Sequence, residues 1–131
     1  MWKSHVKTPK SASKRGNNSR RDFLSLREAN TPKESEIKTS IRRYLNLIGI
    51  WHYNQWQGQF SVQGISDLVG MMPDGRYLAI EIKRPGEKPT DKQQAFLDEV
   101  NARKGVAFLA TSVDDVIREL QIKGLAQKIR V

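Results

Sequence analysis

Two short apolar runs, 65–72 and 77–83, are joined by Pro73-Asp74-Gly75-Arg76, and this pairing constrains the fold more than any other stretch of the chain. Proline presets φ and glycine tolerates positive φ, so the chain can reverse here and lay the runs side by side as antiparallel strands. The runs carry charges where strand interiors favour β-branched and aromatic side chains. Asp67 ends Gly64-Ile65-Ser66-Asp67, and Glu81 and Lys83 lie in Ala79-Ile80-Glu81-Ile82-Lys83. Folding about Asp74-Gly75 brings Asp67 opposite Glu81 or Ile82. Side chains alternate along a strand, so Glu81 and Lys83 share one face while Ile80 and Ile82 point into the core. Three charges converge.

Two opposed carboxylates repel each other unless something positive lies between them. A hard divalent cation with oxygen ligands is one solution, with Lys83 beside it to hold or help deprotonate a water. A surface salt bridge between Lys83 and both acids is the other. The residues alone fit both. The chain has no cysteine, which excludes disulfides and thiolate metal sites.

Upstream, Thr31-Pro32-Lys33-Glu34 reads as a helix start. Thr31 is placed to cap, Pro32 suits the first helical position and Glu34 completes a capping box. Ile37, Ile41, Tyr44, Leu45 and Ile48 follow at helical spacing, with Gly49 as the stop. Glu36 stands in one row with Ser40 and Arg43; on helix geometry alone it is a solvated first-turn carboxylate. Residues 50–56 read as a strand with Trp51 and Tyr53 on one face and His52 and Asn54 on the other. A lone histidine in such a strand reads as a half-exposed sheet residue. Gln57-Gly58-Gln59 is a loop whose flanking Trp56 and Phe60 either stack on a base or serve as ordinary loop and core residues.

Downstream, Arg84-Pro85-Gly86-Glu87-Lys88-Pro89 is a basic loop, lying along a phosphate backbone or merely exposed. Thr90 and Gln93 have capping-box spacing. Phe96, Leu97 and Val100 give a core stripe ended by Gly105. Residues 106–110 form a continuous apolar run of the kind expected for a buried central strand. Ser112 and Asp115 cap a last helix with Val113, Val116, Ile117 and Leu120 inward. After Gly124, Leu125, Ile129 and Val131 suggest a short helix or a tail used in self-association. Helix, three strands, helix, strand, helix predicts an α/β domain with a small mixed sheet flanked by helices.

The net charge of +9 is unevenly placed. Residues 1–33 hold nine Lys/Arg against Asp22 and Glu28, leaving +7, and the remainder holds only +2. A Ser-, Asn-, Lys- and Arg-rich tail of this kind is expected to be disordered and drawn to polyanions, nucleic acid above all, or else is a solubilising terminus with no specific role; Phe23, Leu24 and Leu26 suit docking on the domain or on a second copy, as a short helix begun near Asp22. No apolar run approaches the roughly 18 residues of a membrane span, and no secretory signal is present. A cytoplasmic protein with no membrane association is expected.

The ordered set Glu36, Gly64-Ile65-Ser66-Asp67, Glu81-Ile82-Lys83 and Thr90-Asp91-Lys92-Gln93-Gln94-Ala95-Phe96 resembles the PD-(D/E)xK nuclease superfamily, and most closely its small stand-alone VRR-NUC branch, common in phages and related to Holliday-junction nucleases. The resemblance runs over about residues 34–120 and implies a restriction-endonuclease-like core at 34–122, between the tail at 1–33 and a short extension at 123–131. It implies Asp67 and Glu81 as ligands of Mg²⁺ or Mn²⁺, Lys83 as the catalytic lysine and Glu36 as a helical acid completing the site. Gln93 matches the family's glutamine on the following helix, and the Ile82 backbone carbonyl is a further candidate ligand. The implied activity is endonucleolytic hydrolysis of DNA, branched DNA in particular, by a homodimer, in the host cytoplasm if phage-encoded. Two positions depart from the pattern: Ser66 replaces the usual proline before the aspartate, and Gln57 is neutral where a basic residue often precedes the glycine. The rival classes are a non-catalytic nucleic-acid-binding module and an interaction adaptor.

Overall fold

The structure is a computed structural model that describes residues 31–56 and 62–124. The basic tail, the Phe23–Leu26 segment, Gln57–Phe60 and the residues from Leu125 onward lie outside the described residues. The chain divides into two units, Met1–Pro32 and Lys33–Val131, and the fold described here is that of the second.

Its elements are α1 (Glu34–Leu47), β1 (Trp51–Asn54), β2 (Leu68–Met71), β3 (Tyr77–Ile82), α2 (Asp91–Ala102), β4 (Val106–Ala110) and α3 (Val113–Glu119), followed by a π-helical turn at Leu120–Gly124. The strands form a four-stranded sheet in the order β1-β2-β3-β4. β1, β2 and β3 run antiparallel to their neighbours, and β4 joins β3 in parallel after the crossover through α2. The mixed sheet flanked by helices is the expected architecture. Among the described residues β4 is an edge strand rather than a central one. Its apolar run is accounted for by burial on both faces, with Ala107 packed against α2 and Val106, Phe108 and Ala110 in the opposite core.

Alternation sorts the sheet into two cores. One face carries Leu68, Leu78, Ile80 and Ile82 against Ile37, Ile41 and Leu45 of α1 and Val116 of α3. The other carries Val69 and Ala79 against Leu97 and Val100 of α2. Glu81, between Ile80 and Ile82, therefore belongs to the α2 face. The hairpin is centred on Asp74: Met71 pairs with Tyr77, and the Met72 and Gly75 amides close the turn on the Arg76 and Met72 carbonyls.

α1 corrects the expected capping. Lys33 stands at the N-cap in extended conformation with no side-chain cap, its carbonyl accepting from the Glu36 and Ile37 amides. The extended backbone of Lys33 continues the entry segment, so the helix begins past Thr31-Pro32 and not at them. At α2 the expected box is present: Thr90 Oγ1 accepts from the Gln93 amide at 3.2 Å, and Gln93 Oε1 accepts from the Thr90 amide at 2.9 Å.

The segment leading into β2 lies directly on this helix start. Gly64 has φ +80°, and a Cβ there would stand 2.4 Å from the Lys92 carbonyl oxygen. Lys92 Nζ also donates to Gln63 Oε1. Gly64→Ala meets both a left-handed backbone and a clash with rigid helix backbone, and is expected to destabilise the fold by roughly 2–4 kcal/mol in urea unfolding.

Candidate active site

The sheet register carries the two acids together. Leu68 pairs with Ile80, and one further step places Asp67 across from Glu81. Asp67 is fixed there by its own side chain, whose Oδ2 accepts from the Ile82 amide at 3.0 Å, and by its carbonyl, which accepts from the Gln55 amide at 2.9 Å. The N–H and C=O of one strand residue point to the same side, so the Ile82 carbonyl also faces Asp67.

Glu81 is 2% exposed. Its Oε1 lies 3.8 Å from Lys83 Nζ, and its Oε2 has no hydrogen-bonding partner among the described residues. Lys83 leaves the end of β3 with its amide donating to the Ala110 carbonyl at 3.1 Å. Burial, the charge of the adjoining Asp67 carboxylate, a hydrogen bond that the protonated acid makes to Asp67, and the charge of Glu34 push the Glu81 carboxyl up to about 8, against the opposing pull of Lys83.

Lys38 also enters the site, with Nζ 3.8 Å from Asp67 Oδ1. Neither lysine approaches its carboxylate to the roughly 2.8 Å of a charge-assisted hydrogen bond. Glu81 is not the half-exposed acid of a surface salt bridge. A buried carboxylate oxygen without a partner, beside a second carboxylate and a strand carbonyl, is a donor set that suits a hard cation. Among the described residues no group of three or more His, Cys, Asp or Glu side chains is gathered, so the protein's contribution centres on a pair of acids.

The remaining expected residues are placed differently. Glu36 is exposed. The helical acid whose charge reaches Glu81 is Glu34, two residues earlier and half-buried. The spacing carried this signal: Glu34 precedes Ile37, Ile41 and Leu45 by three, seven and eleven residues, in line with the buried row, and Lys38 follows it by one turn. Gln93 has its Oε1 committed to the Thr90 cap, leaving Nε2 as its donor. His52 lies on the sheet face opposite Glu81, with Nδ1–H donating to the Ile50 carbonyl at 2.8 Å. Ser66 is fully buried, and its hydroxyl has no partner among the described residues.

A mixed sheet with an acid pair at the start of β2 and the end of β3, and a lysine just beyond, is a restriction-endonuclease-like core. The VRR-NUC domain model matches residues 11–114, and the chain belongs to the VRR-NUC family. This is a nuclease-type family acting on DNA, whose members generally use divalent metal ions. A solved structure described as a VRR_NUC domain protein is similar, with a TM-score of 0.59 at 20% identity, covering 72% of this chain and 89% of that one. At that identity the likeness is one of fold. No curated protein matches the sequence. No helix among the described residues is long and apolar enough to cross a membrane.

The raised Glu81 carboxyl gives a pH signature without metal. The folded chain keeps this proton up to about 8, whereas the unfolded chain loses it near the ordinary 4.5. The associated stability is present in full below about 4.5, falls with rising pH by at most about 1.4 kcal/mol per unit, and levels off above about 8. Thermal melts in chelator across this window are expected to show the decline, and Glu81→Gln, which imitates the neutral acid, is expected to flatten it and melt higher near pH 8.

Proposed function

We propose that this chain is a metal-dependent endodeoxyribonuclease that recognises DNA by structure, with branched DNA or a Holliday junction as substrate. The observation that carries this reading is the buried Glu81 carboxylate, with one oxygen that no donor among the described residues reaches and the Asp67 carboxylate beside it. Asp67 Oδ1, Glu81 and the Ile82 carbonyl would hold Mg²⁺ or Mn²⁺. When bound, the ion supplies Lewis acidity toward the phosphate and a bound water.

The chain's own residues do the rest. Lys83 Nζ holds the attacking water and takes part in moving its proton. Gln93 Nε2 donates to a phosphate oxygen while Oε1 keeps the helix cap. Glu34 replaces Glu36 as the helical acid, adding negative charge behind the pair. So small a domain has little surface for reading a long base sequence, which favours recognition by shape. A homodimer with two sites about a two-fold axis matches the symmetry of a four-way junction. The basic segment 1–33 adds affinity for DNA, and the cytoplasm is the proposed location.

Cleavage of branched, flap, linear and single-stranded DNA with Mg²⁺ or Mn²⁺ tests this. Asp67→Ala is expected to lower cleavage by about a thousandfold or more, because Lewis-acid stabilisation is worth several kcal/mol. Equal cleavage by the unmodified and Asp67→Ala proteins would overturn the site. If neither cuts any substrate while both bind DNA with a steep salt dependence, the non-catalytic binding module is the better reading.

The two helical acids separate in the same assay. Glu34→Gln is expected to lower cleavage roughly 10–100-fold, the usual cost of a residue supporting a metal site, whereas Glu36→Gln stays within about threefold. The reverse ranking would restore Glu36 to the site.

A further inference from the structure

Each carboxylate of the central pair has one oxygen turned toward one lysine, and the two lysines differ in how they are held. Lys83 is the next residue after β3, 17% exposed, with its amide bonded to the Ala110 carbonyl. Its position follows from the sheet. Lys38 reaches in from the second turn of α1 on a four-carbon stem and is 29% exposed, open on its other side to solvent. An ammonium on such a stem can leave Asp67 for water at small cost.

The charges give that movement a use. Lys38 is the cation set against Asp67, and Lys83 the one set against Glu81. Asp67 Oδ2 is committed to the Ile82 amide, so Oδ1 is the oxygen left to accept a cation, and Lys38 stands 3.8 Å from it. An ammonium and a divalent ion drawn to that one oxygen repel each other. Lys83 lies beside Glu81 and does not answer the charge at Oδ1.

We propose that Lys38 is a displaceable counter-ion that competes with the divalent cation for Asp67 Oδ1 and so sets the metal affinity of the site. This rests on the nuclease reading above and adds a positioning residue to it. In the metal-free protein Lys38 offsets the Asp67 charge. When a cation takes Oδ1, the Lys38 ammonium swings toward solvent.

The test is Mn²⁺ binding to the full chain without DNA, followed by the electron paramagnetic resonance signal of free Mn²⁺ and by calorimetry. Lys38→Met, which keeps the stem and removes the charge, is expected to bind Mn²⁺ roughly tenfold more tightly, as loss of one nearby like charge implies. Its metal-free melting temperature should fall, and saturating Mn²⁺ should raise it by more than in the unmodified protein. Lys38→Arg, which keeps the charge, should bind within about twofold of the unmodified protein. Unchanged or weaker Mn²⁺ binding by Lys38→Met overturns the inference and leaves the nuclease reading standing. Tighter binding by Lys38→Arg overturns it as well, because charge would not be the cause. If the unmodified protein and Lys38→Met both fail to bind Mn²⁺, the inference falls, and cleavage of DNA by the unmodified protein with Mn²⁺ then decides whether the nuclease reading stands.

Discussion

The hydrogen bond from the Ile82 amide to Asp67 Oδ2 joins the start of β2 to the end of β3 beyond the last paired residues. A strand end normally leaves such an amide to water or to a neighbouring strand. Here a side chain takes the place of the ladder, and that substitution orients Asp67 toward Glu81. The register of the hairpin fixes which residues meet, and this bond fixes how they meet. Gly64 anchors the segment that leads to Asp67, because its backbone approaches the Lys92 carbonyl of α2 more closely than a residue with a Cβ would allow. The acid pair is thus held by backbone from three segments.

Placing Glu81 on the α2 face of β3 is unfavourable to folding in isolation. A carboxylate 2% exposed beside another carboxylate either takes up a proton or requires a positive charge. The flanking lysines meet this requirement incompletely, since neither closes to hydrogen-bonding distance and Glu81 Oε2 has no partner among the described residues. Ser66 adds a second buried polar group without a partner. A hydroxyl left so costs about 1–3 kcal/mol. The core of Leu68, Leu78, Ile80 and Ile82 on the opposite face supplies the offsetting apolar burial.

The hairpin was legible because two rules act on it at once. Alternation separated Glu81 from Ile80 and Ile82, and the turn limited the register to a one-residue uncertainty that the Asp74-centred turn resolves at Glu81. The capping box at Thr90 and Gln93 was legible for the same reason, as two local requirements coincide there. The charge that Glu34 brings to Glu81 was not. The family resemblance pointed to Glu36, and the reading of Thr31-Pro32 as the helix start gave Glu34 a capping task, although Glu34 continues the row of Ile37, Ile41 and Leu45. The edge position of β4 was hidden because a strand covered on both faces has the same apolar run wherever it stands in the sheet. Lys38 was out of reach of pattern reading, since its partner lies on another element and only the packed fold brings them together.

On the proposed function, a centre with two protein carboxylates has a consequence for how the substrate is held. Mg²⁺ tends toward six oxygen ligands and keeps several waters when a protein supplies only one or two carboxylates. The remaining positions suit substrate phosphate oxygens, so metal and DNA each complete the other's site. Linkage then requires that each raise the other's affinity by the same factor. A site that binds its cation weakly alone and firmly with DNA would leave little free metal-activated water in the absence of substrate. Lys38 at Asp67 Oδ1 acts in the same direction, because a competing ammonium lowers the affinity for the cation most where no phosphate is present to help hold it.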